Sequence, residues 1–130
     1  MKYFYDTNIF IDYLSGVEDV QQYFDKDFLA NNELFISSIV RIELLSYPEL
    51  SINEEKVIRE VLDQFVIIPL NDDIVEMTIL LRKKYKLKVP DSIIASSVIY
   101  IDSMLITRDL KDFGKVSELS IFSSDKNRKQ

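Results

Sequence analysis

Asp6 follows Tyr3-Phe4-Tyr5, Asp91 follows Val89-Pro90, Asp109 follows Met104-Leu105-Ile106-Thr107, and Glu43 sits inside Ile39-Val40-Arg41-Ile42-Glu43-Leu44-Leu45. Carboxylates beside apolar runs need partners, because an unpaired charge is costly to remove from water. A strand that ends on a charged residue delivers that side chain to the rim of a sheet, so the four can converge on one acidic pocket. At an effective dielectric near 20, two carboxylates about 4 Å apart repel by roughly 4 kcal/mol. A hard divalent cation removes that repulsion, and Mg²⁺ or Mn²⁺ suits a site built from oxygen ligands alone. Such an ion lowers the pKa of its bound water and neutralises charge on a scissile phosphate, which makes phosphodiester hydrolysis the natural chemistry of the set.

Each acid also has an ordinary reading. Asp6 and Asp91 can be helix caps, Glu43 can pair with Arg41, and Asp109 can be a turn residue. The ordinary readings leave Glu43 unexplained, since helical spacing puts it on one face with Ile39, Ile42 and Ser46.

Composition removes the main competitors. The chain has no histidine, hence no Ser-His-Asp triad and no paired-histidine route to RNA cleavage, and no cysteine, hence no thiolate nucleophile, disulfide or cysteine-zinc site. Its two glycines, Gly16 and Gly114, cannot make a Gly-rich phosphate loop or a dinucleotide fingerprint. A net charge of −6 argues against a generally basic nucleic-acid coat while leaving room for a local basic patch. The apolar stretches are broken by charges before the roughly 18 to 20 residues a bilayer span needs, and no secretion signal is evident. The expectation is a soluble, cytoplasmic protein that makes no membrane contact. At 130 residues and 47% hydrophobic content it has room for one core, expected as a single domain over 1–124 with a polar tail over 125–130.

The elements alternate. Strands are expected at 2–6, 34–36, 66–68, 104–106 and 119–122. Asn8 can cap a helix over 9–14 that stops near Ser15-Gly16, and a second helix is expected over 17–31 from the spacing of Val20, Tyr23, Phe24 and Phe28. Ser37 or Ser38 caps the helix carrying Glu43, which must end near Pro48. Ser51 to Glu54 is a capping-box pattern opening a helix through Phe65, and Asp73 to Glu76 repeats that spacing before a helix to about Tyr85. Asp91 is expected to open a helix over 92–100. Val66-Ile67-Ile68 is fully apolar, as in a parallel strand covered on both faces. The expected architecture is α/β, a three-layer α/β/α sandwich with a mainly parallel central sheet, whose right-handed crossovers put Asp6 and Asp109 on one carboxyl edge.

Asp6-Thr7-Asn8 after an N-terminal strand, Ile42-Glu43-Leu44 in mid-helix, the Asp91-Ser92-Ile93-Ile94-Ala95-Ser96 helix, and Thr107-Arg108-Asp109-Leu110-Lys111-Asp112-Phe113 together resemble the PIN domain, nearest to the ribonuclease toxins of VapBC-type toxin-antitoxin pairs. The resemblance covers nearly the whole chain in order. It implies a Mg²⁺- or Mn²⁺-dependent endoribonuclease with Asp6, Glu43, Asp91 and Asp109 as catalytic, metal-binding acids. Asp6 and Asp91 would hold the principal ion, Glu43 would bind it directly or through water, and Asp109 would complete the site, with Asp112 able to take its place. Thr7 and Thr107 would orient carboxylates, and Asn8 belongs to the same first motif. The implied partners are an RNA substrate, a cognate antitoxin and a second copy in a homodimer, with Val20, Phe24 and Leu45 offering an apolar surface for docking. Ser92 and Ser96-Ser97 stand where relatives favour alanine, which bears on packing more than on chemistry.

Arg82, Lys83, Lys84, Lys86 and Lys88 form a dense basic run leading into Asp91, either tracking RNA phosphates or complementing a helix C-terminus. Tyr47, Tyr85 and Tyr100 can stack on bases, although tyrosines at helical spacing are more often core. Asp12 reads best as solvated or salt-bridged. The alternative function is a catalytically silent PIN-like module that binds RNA or protein, its acids caging a partner's arginine. A metal-dependent DNA nuclease is a third reading, and a receiver domain is disfavoured because Thr107-Arg108 occupies the place of its lysine.

Overall fold

The computed structural model describes residues 1–123, so the expected tail over 125–130 lies outside the described residues. The strands are β1 (Lys2–Tyr5), β2 (Glu33–Ser37), β3 (Val66–Ile68), β4 (Met104–Thr107) and β5 (Ile121–Ser123). They form a sheet in the order β3-β2-β1-β4-β5, every neighbouring pair parallel, with Phe4 opposite Phe35 on one side and Leu105 on the other. The helices are α1 (Thr7–Leu14), α2 (Glu18–Gln21), α3 (Lys26–Asn31), α4 (Ser38–Leu45), α5 (Ile52–Leu62), α6 (Asp72–Tyr85), α7 (Val89–Tyr100) and α8 (Leu110–Phe113). This is the α/β/α sandwich. Connections from β1 run outward to β2 and β3 and then return to β4, so the strand order reverses between β1 and β4. That junction is the topological switch point, where an open parallel sheet leaves a crevice beyond the carboxyl ends of its strands.

Packing fixes the junction. Phe4, Tyr5, Leu105 and Ile106 are fully buried, and Tyr5, Phe10, Phe24 and Phe65 pack as an aromatic group with ring centroids as close as 4.7 Å. The Tyr5 hydroxyl donates to the Tyr23 carbonyl, and burial pushes that phenol's pKa up. α1 ends where Gly16 takes a positive φ of 84° and its N–H returns to the Tyr13 carbonyl, a backbone turn that glycine makes without strain.

Several elements differ from the expectation. Residues 17–31 are not one helix: a 3-10 turn at Gln22–Phe24 and extended backbone at Asp25 divide it into α2 and α3, letting Phe28 stack on Tyr3 at 5.2 Å. Val20 and Phe24 are buried in the core, so they offer no docking surface, and Leu45 is partly buried against that core. β3 is an edge strand with Val66 56% exposed, because an apolar run reads alike in a central or an edge strand. α5 stops at Leu62, before Phe65. The capping box of Ser51 and Glu54 is present, whereas α6 is capped by Asn71 rather than through an Asp73 to Glu76 box. Of the two serines expected to cap α4, Ser37 does so.

Among the described residues, no helix is long and apolar enough to cross a membrane. The aromatic group should dominate stability: Phe10→Ala should cost about 3–5 kcal/mol in denaturant unfolding, against about 1 kcal/mol for Ser51→Ala at the exposed capping box.

Candidate metal centre

Asp6 is the first residue beyond β1 and the N-cap of α1, the position expected for Asn8. Its Oδ1 accepts the Ile9 N–H at 2.9 Å, which satisfies an orphan donor of the helix start. Its Oδ2 accepts the Thr107 hydroxyl at 2.5 Å, and the Thr107 oxygen in turn accepts the Asp109 N–H at 2.9 Å. One threonine hydroxyl thus joins the carboxyl ends of β1 and β4. Asp109 caps α8 through an Asp112 N–H bond at 3.1 Å, so the short helix begins at the site.

Asp91 does not open its helix. α7 begins two residues earlier, at Val89 with Lys88 as N-cap, and Pro90 lies in the first turn, where its missing N–H costs nothing. Asp91 therefore lies in the first turn with its carboxylate unused in capping, favoured by the helix dipole. Glu43 accepts the Thr7 hydroxyl at 2.6 Å, from α1 to α4. The buried face of α4 is Val40 and Leu44, while Ile42 is 58% exposed, so Glu43 interrupts no core face and borders the cleft instead.

These side chains meet. Asp91, Asp109 and Asp112 offer carboxylate oxygens that all lie within 4.8 Å of one another. A cleft of about 420 Å³ is lined by Asp6, Thr7, Asn8, Glu43 and Asp91 with Tyr47 and Pro48 on its wall. Asp109 and Asp112 both approach Asp91, so the structure supplies two acids where one was expected to take the place of the other.

Electrostatics follow from the convergence. Burial pushes the Asp6 carboxyl up to about 7, against the opposing bonds from Thr107 and Ile9, with Asp109 and Asp91 adding repulsion. Asp91 is raised in the same direction by burial, then by Asp109 and Asp112, while Lys88 lowers it. Lys115 approaches Asp112 at 3.5 Å from an exposed position.

The basic run is dispersed. Lys84 pairs with Glu118 at 3.0 Å, Arg82 donates to the Leu87 carbonyl, and Arg82 and Lys83 line a separate groove with Leu70 and Ile93. Lys86 ends α6 in a left-handed conformation, leaving Lys88 as the member of the run beside Asp91. Glu118, bonded to Tyr85 and Lys84, is held down to about 2. Asp12 is salt-bridged, to Arg108 at 3.2 Å. Two features escaped the sequence reading: the second acid at Asp91, and an apolar groove of about 430 Å³ between α1, α4 and α5 that shares Ile11 and Tyr47 with the cleft. The spacing of Asp109 to Asp112 carried a signal for the first, being the cap and third position of a helix.

An all-parallel sheet with acids gathered at its switch point defines an α/β domain with a candidate divalent-cation site. The family model of the PIN domain matches residues 3–119, and the chain belongs to that family. A solved toxin-antitoxin complex from Klebsiella pneumoniae contains a chain 33% identical to this one, covering 94% of this chain and 97% of that one with a TM-score of 0.76. Two more distant structures share the fold: VapBC2 from Rickettsia felis bound to a DNA fragment from its promoter, at 23% identity, coverage of 95% and 98% and TM-score 0.83, and DNA-bound VapBC from Salmonella typhimurium, at 19%, 95% and 98%, and 0.79. No curated protein matches the chain.

The Asp6 carboxyl has a testable signature in metal-free protein. Its folded form keeps a proton up to about pH 7 while the unfolded form loses it near 3.8, so between these values the folded state binds more protons and stability falls as pH rises. The ceiling is roughly 4 kcal/mol. Denaturant unfolding across that window with chelator should show a downward contribution that Asp6→Asn removes and added Mg²⁺ or Mn²⁺ offsets. Equal slopes in the two proteins would refute the burial argument.

Proposed function

We propose that this protein is a metal-dependent endoribonuclease and the toxin of a type II toxin-antitoxin pair that inhibits translation when released. The observation that carries the reading is the convergence of Asp6, Glu43, Asp91, Asp109 and Asp112 on one edge of a PIN sheet. The likeness to a toxin-antitoxin complex at 33% identity supports the pairing with a cognate antitoxin.

The residues fit a hard cation. All donors are carboxylate oxygens; burial first, and then their mutual repulsion, raise the pKa of Asp91, and Mg²⁺ or Mn²⁺ would offset both costs. Asp6 and Asp91 would be principal ligands, with Glu43, Asp109 and Asp112 completing the set. A bound ion supplies positive charge for the scissile phosphate and a water of lowered pKa. The chain's own residues do the positioning. Thr107 holds Asp6 against β4, and Thr7 holds Glu43 over the start of α1, so both carboxylates keep their orientation without substrate. Asn8 is exposed on the cleft wall, where its amide can hydrogen-bond the substrate backbone. Lys88 stands at the mouth beside Asp91, where a cation favours a phosphate's approach.

The apolar groove that shares Ile11 and Tyr47 with the cleft supports an antitoxin segment that covers both. Exposed Leu70, just before α6, and exposed Ile79 and Leu80 on it offer apolar surface for a homodimer. A cytoplasmic location accords with such a role.

Purified protein should cut a mixed structured RNA pool in Mg²⁺ or Mn²⁺, not in chelator, and Asp6→Asn of confirmed fold should not cut. Thr107→Val should lower metal affinity or activity about 10- to 100-fold, as removal of a ligand's orienting partner does. RNA binding without cutting in any metal would favour the silent binding module instead.

A further inference from the structure

Most aromatic rings of this protein are spoken for. Tyr13 stacks on Phe24 at 4.0 Å, Tyr23 packs against Phe28 and Phe122, and the Tyr85 hydroxyl is bonded to Glu118 and Ser117. Tyr47 differs in each respect. It is 50% exposed, and among the described residues its ring meets no other aromatic ring and its hydroxyl makes no hydrogen bond. It lines the acidic cleft and the adjoining apolar groove, at their junction.

Its place along the chain matters as much. Tyr47 lies four residues after Glu43, just beyond the end of α4, and its side chain lines the same cleft as that carboxylate. Pro48, also on the cleft wall, holds the residue before it away from helical backbone and so helps fix the ring's position. Phe113 lines the same cleft but is only 2% exposed. Tyr100 is half exposed, but it lies nine residues beyond Asp91 on α7, about 13 Å along the helix axis. Tyr47 is therefore the aromatic residue with an open face beside the acids.

We propose that Tyr47 stacks on a base of the nucleotide next to the scissile phosphate. This rests on the endoribonuclease reading. An open ring on the wall of the cleft that holds the proposed metal-binding acids stands where a base flanking the scissile phosphate would lie, and every base offers it a π-face. A base inside a duplex is already stacked between neighbours, so it reaches Tyr47 only in a loop, bulge or single strand. Stacking is tolerant of base identity, so Tyr47 selects for unpaired RNA more than for sequence.

The test uses short single-stranded RNA oligonucleotides carrying fluorescent aminopurine at successive positions, bound in Ca²⁺, beside cleavage assays in Mg²⁺. Tyr47→Phe should keep both affinity and the fluorescence quench at one position. Tyr47→Ala and Tyr47→Leu should lose the quench, and Tyr47→Ala should weaken binding about 5- to 150-fold, the range for one stacked base. An abasic nucleotide at that position should cost the wild type the same factor and cost Tyr47→Ala nothing more, while Ca²⁺ affinity by calorimetry stays unchanged in all variants. The proposal falls, with the nuclease reading intact, when the wild type cuts RNA but Tyr47→Leu matches Tyr47→Phe, or when duplex RNA is cut as well as single strands. Both readings fall when the wild type neither binds nor cuts RNA, and a peptide partner lost only in Tyr47→Ala would then assign the ring to protein docking.

Discussion

A carboxyl group 2% exposed, between the ends of two parallel strands, is the constraint around which this structure is arranged. Asp6 starts α1 with one oxygen and ties β1 to β4 through Thr107 with the other. These bonds favour its charged form, yet burial outweighs them and lifts its pKa to about 7. The protein thus holds a group that is only partly ionised at neutral pH unless positive charge is brought to it. Each oxygen has a further lone pair, so the structural bonds leave the carboxyl able to accept such a charge.

The remaining acids are delivered by elements that the same junction organises. β4 lies beside β1 and carries Asp109 just past its end, α8 starts there and presents Asp112, and α7 brings Asp91 in its first turn. The N-termini of α1 and α7 begin at the cleft, and their partial positive charge moderates repulsion that would otherwise oppose folding. α4 contributes Glu43 from the far wall, fixed by Thr7. Two threonine hydroxyls therefore orient two carboxylates across element boundaries, which places the site on rigid secondary structure rather than on loops.

A chain of net charge −6 meets a polyanion poorly unless its contacts are local. Here the cations near the cleft are few and partly engaged: Arg108 with Asp12, Lys115 with Asp112, and Lys88 beside Asp91. Much of the dense basic run is used elsewhere, Lys84 holding the end of α6 to Glu118. The proposed recognition, through the candidate metal-binding acids, one open ring and the groove beside it, suits such a surface better than a long phosphate track.

The sequence by itself determined the alternation of strands and helices, the cap at Ser51 and the pair of serines from which α4 takes its cap, the mainly parallel sheet, and the order of Asp6, Glu43, Asp91 and Asp109 along it, because hydrophobic period and cap chemistry are local. Local patterns also misplaced the caps of α1 and α6, where several polar residues in succession can each serve, and of α7, which starts from Lys88 without a side-chain cap bond. The break at Asp25 carries no proline or glycine and depends on where Phe24 and Phe28 find partners. Tertiary structure alone decided that β3 is an edge, that Val20 and Phe24 are core, that the basic run is split, and that Tyr47 opens onto the cleft. It also decided that Asp109 and Asp112 both reach Asp91. Residue types and spacings state what a side chain can do, but burial, pairing and convergence depend on contacts between segments as far apart as Asp6 and Thr107, which only the folded chain brings together.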